Sequence, residues 1–279
     1  MMRALAAPCF SSDPGELVEL GVSAERAGFD GFFLWDHILF ANDGDGPDIV
    51  DPWAVLAVIA ARTERITIGT MITPVSRRRP WVLARQAATV DLLSNGRLVL
   101  GVGIGSPAQG DFGRFGDETD ASRRAEMLDE GLAILDGLWS GDRFAYDGRH
   151  YHLDEVRFRP RPAQRPRIPV WVGGTLPLRR PMSRAARWDG AVPLRWEQRR
   201  LARPNAADIA SVRDQVAVER GSLDGFTIAV WAEVAGDPAA VTAELPGYAA
   251  AGATWWIETA KPEAGWLDEL RARIGRGVG

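Results

Sequence analysis

The sequence predicts one α/β domain, a single closed (β/α)₈ TIM barrel spanning residues 1–279. Three observations carry that reading. Short apolar runs, suited to strands buried on both faces, alternate with segments whose apolar residues recur at helical spacing, and no linker breaks the pass. Several of the runs end in glycines or ionisable residues, as strands do where a parallel barrel opens onto its ligand. The length, 279 residues, is close to what such a barrel needs.

The elements follow in order. Residues 5–10 form the first strand. Asp13-Pro14 starts a helix, with aspartate as cap and proline at the first position, and Leu17, Leu20, Ala24 and Ala27 give it one apolar face before Gly28 stops it. Residues 31–35 are a buried strand that runs directly into Asp36-His37. Asp51-Pro52 opens a helix with Trp53, Leu56 and Ala60 on one side. Residues 66–74 make the third strand, and Trp81, Ala84, Ala88 and Leu92 the next helix face, closed by Ser94-Asn95-Gly96. Residues 97–103 are the fourth strand, which opens into Gly103-Ile104-Gly105-Ser106. There glycines at alternate positions let backbone approach a ligand with no side chain between. A long helix carries Leu128, Gly131, Leu132, Leu135, Leu138 and Trp139 and ends at Gly141.

Residues 144–158 alternate around Asp147-Gly148, a hairpin signal, and read as a small insertion rather than a barrel strand. A proline-punctuated connector leads to residues 168–175, a strand ending in a second glycine mouth, Gly173-Gly174-Thr175. Successive free backbone N–H groups there could hold a phosphate. Residues 186–193, 226–234 and 254–258 complete the strands, and residues 206–219, a segment from Asp237-Pro238 and residues 266–274 the helices. Residues 106–120 and 196–205 lack apolar periodicity and are expected to be the least ordered segments, covering the site as lids.

Composition narrows the function. A formal net charge of −4 gives no reason to expect nucleic acid as a partner. The single cysteine, Cys9, rules out an internal disulfide and a cysteine-based zinc cluster, and fits a reducing cytoplasm. No apolar run reaches membrane-spanning length, and residues 1–8 read as the start of a strand rather than a signal peptide. Gly103-x-Gly105-x-x-Ala108 fits a loose dinucleotide fingerprint, but Pro107 stands where the helix should begin and a Gly- and Asp-rich loop follows. Arg77, Arg78 and Arg79 read as a solvated helix entry, with an anion site as the alternative. His150 and His152 face one way on a strand, but two ligands do not make a metal site. No metal is expected.

Several stretches resemble the bacterial luciferase-like monooxygenase family, whose members depend on a flavin or on the deazaflavin F420. They are Trp35-Asp36-His37, residues 65–70, the long run from Arg85 to Gly103, residues 168–174 and residues 252–256. The resemblance covers nearly the whole chain and implies a luciferase-like TIM barrel. It places Asp36 and His37 beside the cofactor ring, with His37 in proton transfer or electrostatic stabilisation and Asp36 beside it as a second catalytic group. It implies a cis peptide bond between Met71 and Ile72 behind the ring, and Thr73 at the ring's polar edge. Gly103, Gly105 and Ser106 would line the cofactor's path, and Gly173, Gly174 and Thr175 would hold its phosphate.

The sequence departs from the family's sugar-phosphate dehydrogenases at Ser106, where they carry a glutamate, and at Ala41, where they carry a tryptophan. Sugar-phosphate oxidation is therefore not expected. The resemblance favours F420 and hydride transfer to or from a small organic substrate. FMN is the alternative, with O₂ chemistry and a separate flavin reductase as partner. A flavin-binding protein without catalysis is the alternative from another class. A homodimer is expected.

Overall fold

The computed structural model describes residues 1–41, 45–106, 108, 110–197, 200–234 and 238–278. Eight strands close into a parallel barrel: β1 (Met2–Ala7), β2 (Gly31–Leu34), β3 (Thr67–Pro74), β4 (Leu98–Gly103), β7 (Val170–Thr175), β8 (Gly190–Glu197), β10 (Thr227–Glu233) and β11 (Trp255–Thr259). They pair in that order, β11 returns to β1, and every one of these pairings is parallel. Among the described residues eight α-helices surround it: α1 (Pro14–Arg26), α2 (Pro52–Arg62), α3 (Pro80–Leu93), α4 (Ala121–Trp139), α5 (Arg179–Ala185), α6 (Ala206–Arg220), α7 (Pro238–Ala251) and α8 (Trp266–Gly275). The inserted hairpin is present as β5 (Arg143–Asp147) and β6 (His152–Arg157), antiparallel and apart from the barrel sheet.

Local chemistry explains most boundaries. Asp13 accepts the N–H of Gly15, and Asp51 that of Ala54, so both expected caps work. α6 carries a capping box from Asn205 and Asp208. β1 starts three residues earlier than expected, where Met2 pairs with Trp255 of the last strand, and stops three residues earlier, because Pro8 has no N–H to continue the ladder. β8 starts four residues later than expected. Ala186 and Trp188 still donate back into α5, so the segment from Ala186 belongs to the end of that helix. Leu92, expected on the buried face of α3, is 43% exposed, while Asp91 is fully buried. The Asp91 carboxylate accepts from the Gln164 backbone (3.0 Å) and side chain (2.7 Å), which pins the proline-rich connector onto the helix.

The barrel interior follows from alternation along each strand. The register and the alternation along each strand put Gly31, Phe33, Gly69, Gly101, Trp171, Gly190 and Trp255 on the same inward face. Phe33, Trp171 and Trp255 pack edge-on or tilted at 5.2–6.1 Å and fill the floor. A methyl group on Gly31 would lie 2.7 Å from Trp255, and one on Gly190 2.6 Å from Trp171, so the floor aromatics require those glycines. The layer above belongs to the mouth.

The two segments without apolar periodicity are described in part. In 106–120, Pro107 and Gln109 lie outside the described residues, but Asp111 and Phe112 are buried and a short 3₁₀ turn spans Gly113–Phe115. In 196–205, residues 198 and 199 lie outside the described residues. The flanking chain forms β9 (Arg200–Ala202), which turns back antiparallel onto β8. Part of each segment thus has regular backbone structure, a 3₁₀ turn in the first and a strand pairing in the second.

Candidate active site

The end of β2 sends two adjacent ionisable side chains to different places. Asp36 is sealed, with a side-chain exposure of 0%. Its Oδ1 accepts from Arg77 Nη2 (2.5 Å) and Arg78 Nη2 (2.9 Å). Its Oδ2 accepts from Thr73 Oγ1 (2.8 Å), Arg78 Nε (3.0 Å) and Trp53 Nε1 (3.3 Å). Burial opposes the charge, but the Arg78 and Arg77 guanidiniums and the hydrogen bonds from Arg78 and Thr73 outweigh it and hold the carboxyl below its ordinary range. A carboxylate with five donors has no lone pair left for a substrate, so Asp36 occupies a structural position rather than the catalytic one expected of it. Thr73 is likewise fully buried with its hydroxyl spent on Asp36, not at the edge of the mouth. Arg77 and Arg78, read from sequence as a solvated helix entry, are instead the cations of this buried cluster, with side chains 1% and 17% exposed.

His37 points the other way and is about one-fifth exposed. Phe10, Trp35 and Phe40 surround its ring at centroid distances of 6.4, 6.2 and 5.1 Å. Its Nδ1 lies 3.0 Å from Asp111 Oδ2. Among the described residues its Nε2 has no protein partner. Asp111 also accepts the backbone N–H groups of Ile38 (2.7 Å) and Leu39 (3.0 Å) at Oδ1, and its Oδ2 is paired with Arg77 Nη1. Burial opposes the Asp111 charge, but the His37 hydrogen bond, Arg77 and the Leu39 N–H together hold the carboxyl below its ordinary range. Arg77 therefore bridges Asp36 and Asp111. Sequence reasoning missed Asp111, which stands 74 residues from His37 in a loop without periodicity.

The mouth has two kinds of wall. Trp35 and Trp231 meet across the barrel at 5.7 Å, with Phe10 and Phe40 beside them. The Trp231 indole Nε1 is buried without an acceptor. On the β3–β4–β7 side, Val102 pairs with Val172, which sets Gly103 beside Gly173 with Ile72 lying against both. The Met71–Ile72 peptide bond is cis, and the β3–β4 register shifts between Thr70 and Thr73. A methyl group on Gly103 would overlap the Ile72 side chain.

The remaining expected residues divide. Gly105 has φ +68° and sits against Phe112 and Pro74, so it serves loop packing. Ser106 is partly exposed and its hydroxyl accepts the Ala108 N–H (3.3 Å). Gly173 and Thr175 are partly exposed at the strand end, whereas Gly174 is buried against Pro181 and Met182 of α5. The two hairpin histidines pair with carboxylates, His150 with Glu126 and His152 with Asp147 and Asp154. Among the described residues no cluster of His, Cys, Asp and Glu could hold a metal. Nor is any described helix long and apolar enough to cross a membrane.

With this geometry in hand, the profile of the luciferase-like monooxygenase family matches residues 3–274. The chain belongs to that family. It is 37% identical over 166 residues to an F420-dependent glucose-6-phosphate dehydrogenase of Microbacterium testaceum (strain StLB037), covering 59% of this chain and 48% of that protein. The enzyme of the same description from Nakamurella multipartita is 35% identical over 167 residues. The chain thus matches about half the length of these curated relatives. An F420-dependent secondary alcohol dehydrogenase in complex with an F420-acetone adduct superposes with a TM-score of 0.78 at 16% identity, over 100% of this chain and 99% of that one. The F420-dependent tetrahydromethanopterin reductase of Methanopyrus kandleri superposes with a TM-score of 0.78 at 17% identity, over 99% and 98%. These likenesses show the same barrel fold along the chain.

Proposed function

We propose that this family member is an F420-dependent oxidoreductase of one barrel domain that moves a hydride between the deazaflavin and a small organic substrate. The observation that carries the reading is His37: an imidazole at the barrel mouth, anchored through Nδ1, with Nε2 unpartnered among the described residues and aromatic rings around it. Curated relatives named as F420-dependent dehydrogenases support the choice of cofactor. The mouth fits a flat apolar ring. Gly103 and Gly173 carry no side chain, Ile72 backs the wall, and the unpartnered Trp231 N–H offers a donor. Thr175 at the end of β7 and the exposed Arg179 and Arg180 at the start of α5 suit the cofactor's phosphate.

When bound, the deazaflavin supplies or takes up the hydride. His37 handles the proton. As an alcohol carbon gives up its hydride, its hydroxyl proton passes to Nε2, and carbonyl reduction runs both transfers in reverse. A positioned group of this kind contributes about 10² to 10⁴-fold to turnover. The aromatic rings exclude water from the transfer. Ser106 offers no carboxylate beside the mouth, which argues against a sugar phosphate as substrate.

Titration of the apo-protein with F420 and with FMN, each followed by fluorescence, tests the assignment. F420 binding is expected. Tight FMN binding with no F420 binding would move the function to oxygen insertion with a partner reductase. A homodimer is part of this proposal. It is supported by apolar side chains left exposed on the adjoining helices α2 and α3: Val58 (46%), Val82 (48%), Leu92 (43%) and Leu93 (50%). Sedimentation as a monomer would remove it.

A further inference from the structure

The two oxygens of Asp111 do different work. Oδ1 is committed to the backbone N–H groups of Ile38 and Leu39, at 2.7 and 3.0 Å. These are the two residues that follow His37, so one oxygen fixes the loop that carries the imidazole. Oδ2 faces His37 Nδ1 at 3.0 Å and is paired with Arg77 Nη1. An ionised carboxylate only accepts hydrogen bonds. Asp111 is 1% exposed, and its carboxyl is held below the ordinary range by His37, Arg77 and the Leu39 N–H against the cost of burial, so it is ionised at neutral pH. A neutral His37 must then carry its single proton on Nδ1.

We propose that Asp111 is a positioning residue that selects the Nδ1–H tautomer of His37 and so makes Nε2 the nitrogen that accepts and returns the substrate's proton. Nε2 has no partner among the described residues, and the rings of Phe10, Trp35 and Phe40 pack around the imidazole. The catalytic meaning rests on the oxidoreductase reading above; the tautomer itself does not depend on it.

Asp111→Asn follows from the same geometry. The amide oxygen must take the Oδ1 place, because only an acceptor satisfies Ile38 and Leu39. The amide NH₂ then occupies the Oδ2 place, facing His37 Nδ1 and the Arg77 N–H. Nδ1 must become the acceptor, and the proton moves to Nε2. Arg77 meets a donor where it had an acceptor. In the serine-protease triad the same exchange leaves the wrong tautomer and costs about 10⁴-fold in turnover.

Long-range ¹H–¹⁵N spectra of the imidazoles, taken above their titration range, decide the matter. His37 is assigned by its absence in His37→Gln. The expected result is a protonated Nδ1 and an unprotonated Nε2 in the wild-type protein. Asp111→Asn should show the reverse, with F420 affinity retained. A neutral wild-type His37 carrying its proton on Nε2 would overturn the proposal, as would an unchanged tautomer in a folded Asp111→Asn protein. If that variant fails to fold, the wild-type spectrum alone decides. Failure of F420 to bind the wild-type protein would remove the functional reading and leave the tautomer result standing.

Discussion

Replacing Asp36 by alanine should destabilise the protein rather than silence it selectively. The wild-type carboxylate takes five hydrogen bonds from four residues in a place water does not reach. Arg77, with a 1% exposed side chain, keeps Asp111 and the residue-36 carbonyl, while Arg78 keeps, among the described residues, only Asp51 at 3.5 Å. Removing one partner of a buried ion pair costs about 3–5 kcal/mol. The surviving contacts of Arg77 and the partial exposure of Arg78 place the charge loss at the low end, near 3 kcal/mol. The stranded Thr73 hydroxyl and Trp53 indole add about 1 kcal/mol each, for a total near 5 kcal/mol. An unfolding entropy of about 2.1 cal/mol/K per residue gives about 0.6 kcal/mol/K for this chain, so Tm should fall by about 8 °C. Asp36→Asn restores the volume but not the charge and should keep most of that loss. Thermal melts at neutral pH, followed by circular dichroism, measure it. A fall of less than about 2 °C for the alanine variant would refute the picture of Asp36 as a sealed charge hub.

Other perturbations separate chemistry from scaffold. His37→Gln should lower turnover by about 10² to 10⁴-fold while fluorescence titration finds F420 binding unchanged; turnover near wild type would remove the imidazole from the reaction. Gly103→Ala should cost about 1–3 kcal/mol, because the new methyl overlaps Ile72, and should weaken F420 binding, both readable from melts with and without cofactor. Glu258, buried between Arg3 (2.8 Å) and Arg273 (2.7 Å), ties β11 to β1 and α8. Burial opposes its charge, but Arg273 and Arg3 outweigh it and hold the carboxyl below its usual range. Its folded pKa is depressed, so its contribution is fully present above the unfolded value of about 4.3 and is lost as pH falls through the folded value. Glu258→Gln should therefore be less stable than wild type at neutral pH, with the gap closing in acid; a gap that widens below pH ~4 would contradict this sign.

The barrel was legible because its signals are local. Apolar runs, the caps at Asp13 and Asp51 and the Asp147-Gly148 turn each act within a few residues, and each appears in the structure. Boundaries moved where one residue's chemistry overrode the pattern, as Pro8 did for β1. The site was legible only in part. Asp36 and His37 are neighbours in sequence, but alternation sends them to opposite sides of the chain, and nothing in the residue names says which one faces the mouth. Arg77 and Arg78 looked like part of a solvated charge run because their carboxylate partners stand far off in sequence, Asp36 and Asp111 lying 41 and 34 residues from Arg77, whereas Arg79 is exposed as expected. Asp111 itself could be found only from the fold, which brings the loop after β4 against the loop after β2.

Arg77 joins what the sequence keeps apart. One guanidinium donates to the Asp36 carboxylate, to the Asp36 carbonyl and to the Asp111 carboxylate that faces His37. Its side chain is buried in the turn after β3, so three strand ends meet on a single planar group with fixed donor directions. Lysine could not replace it, since a point charge cannot hold two carboxylates and a carbonyl in set positions. The arrangement leaves Asp36 to balance charge behind the wall while Asp111 orients the imidazole in front of it. His37 is thereby held from the loop side and the barrel side at once, which a mobile loop alone could not do for a group that must meet its substrate within hydrogen-bond reach.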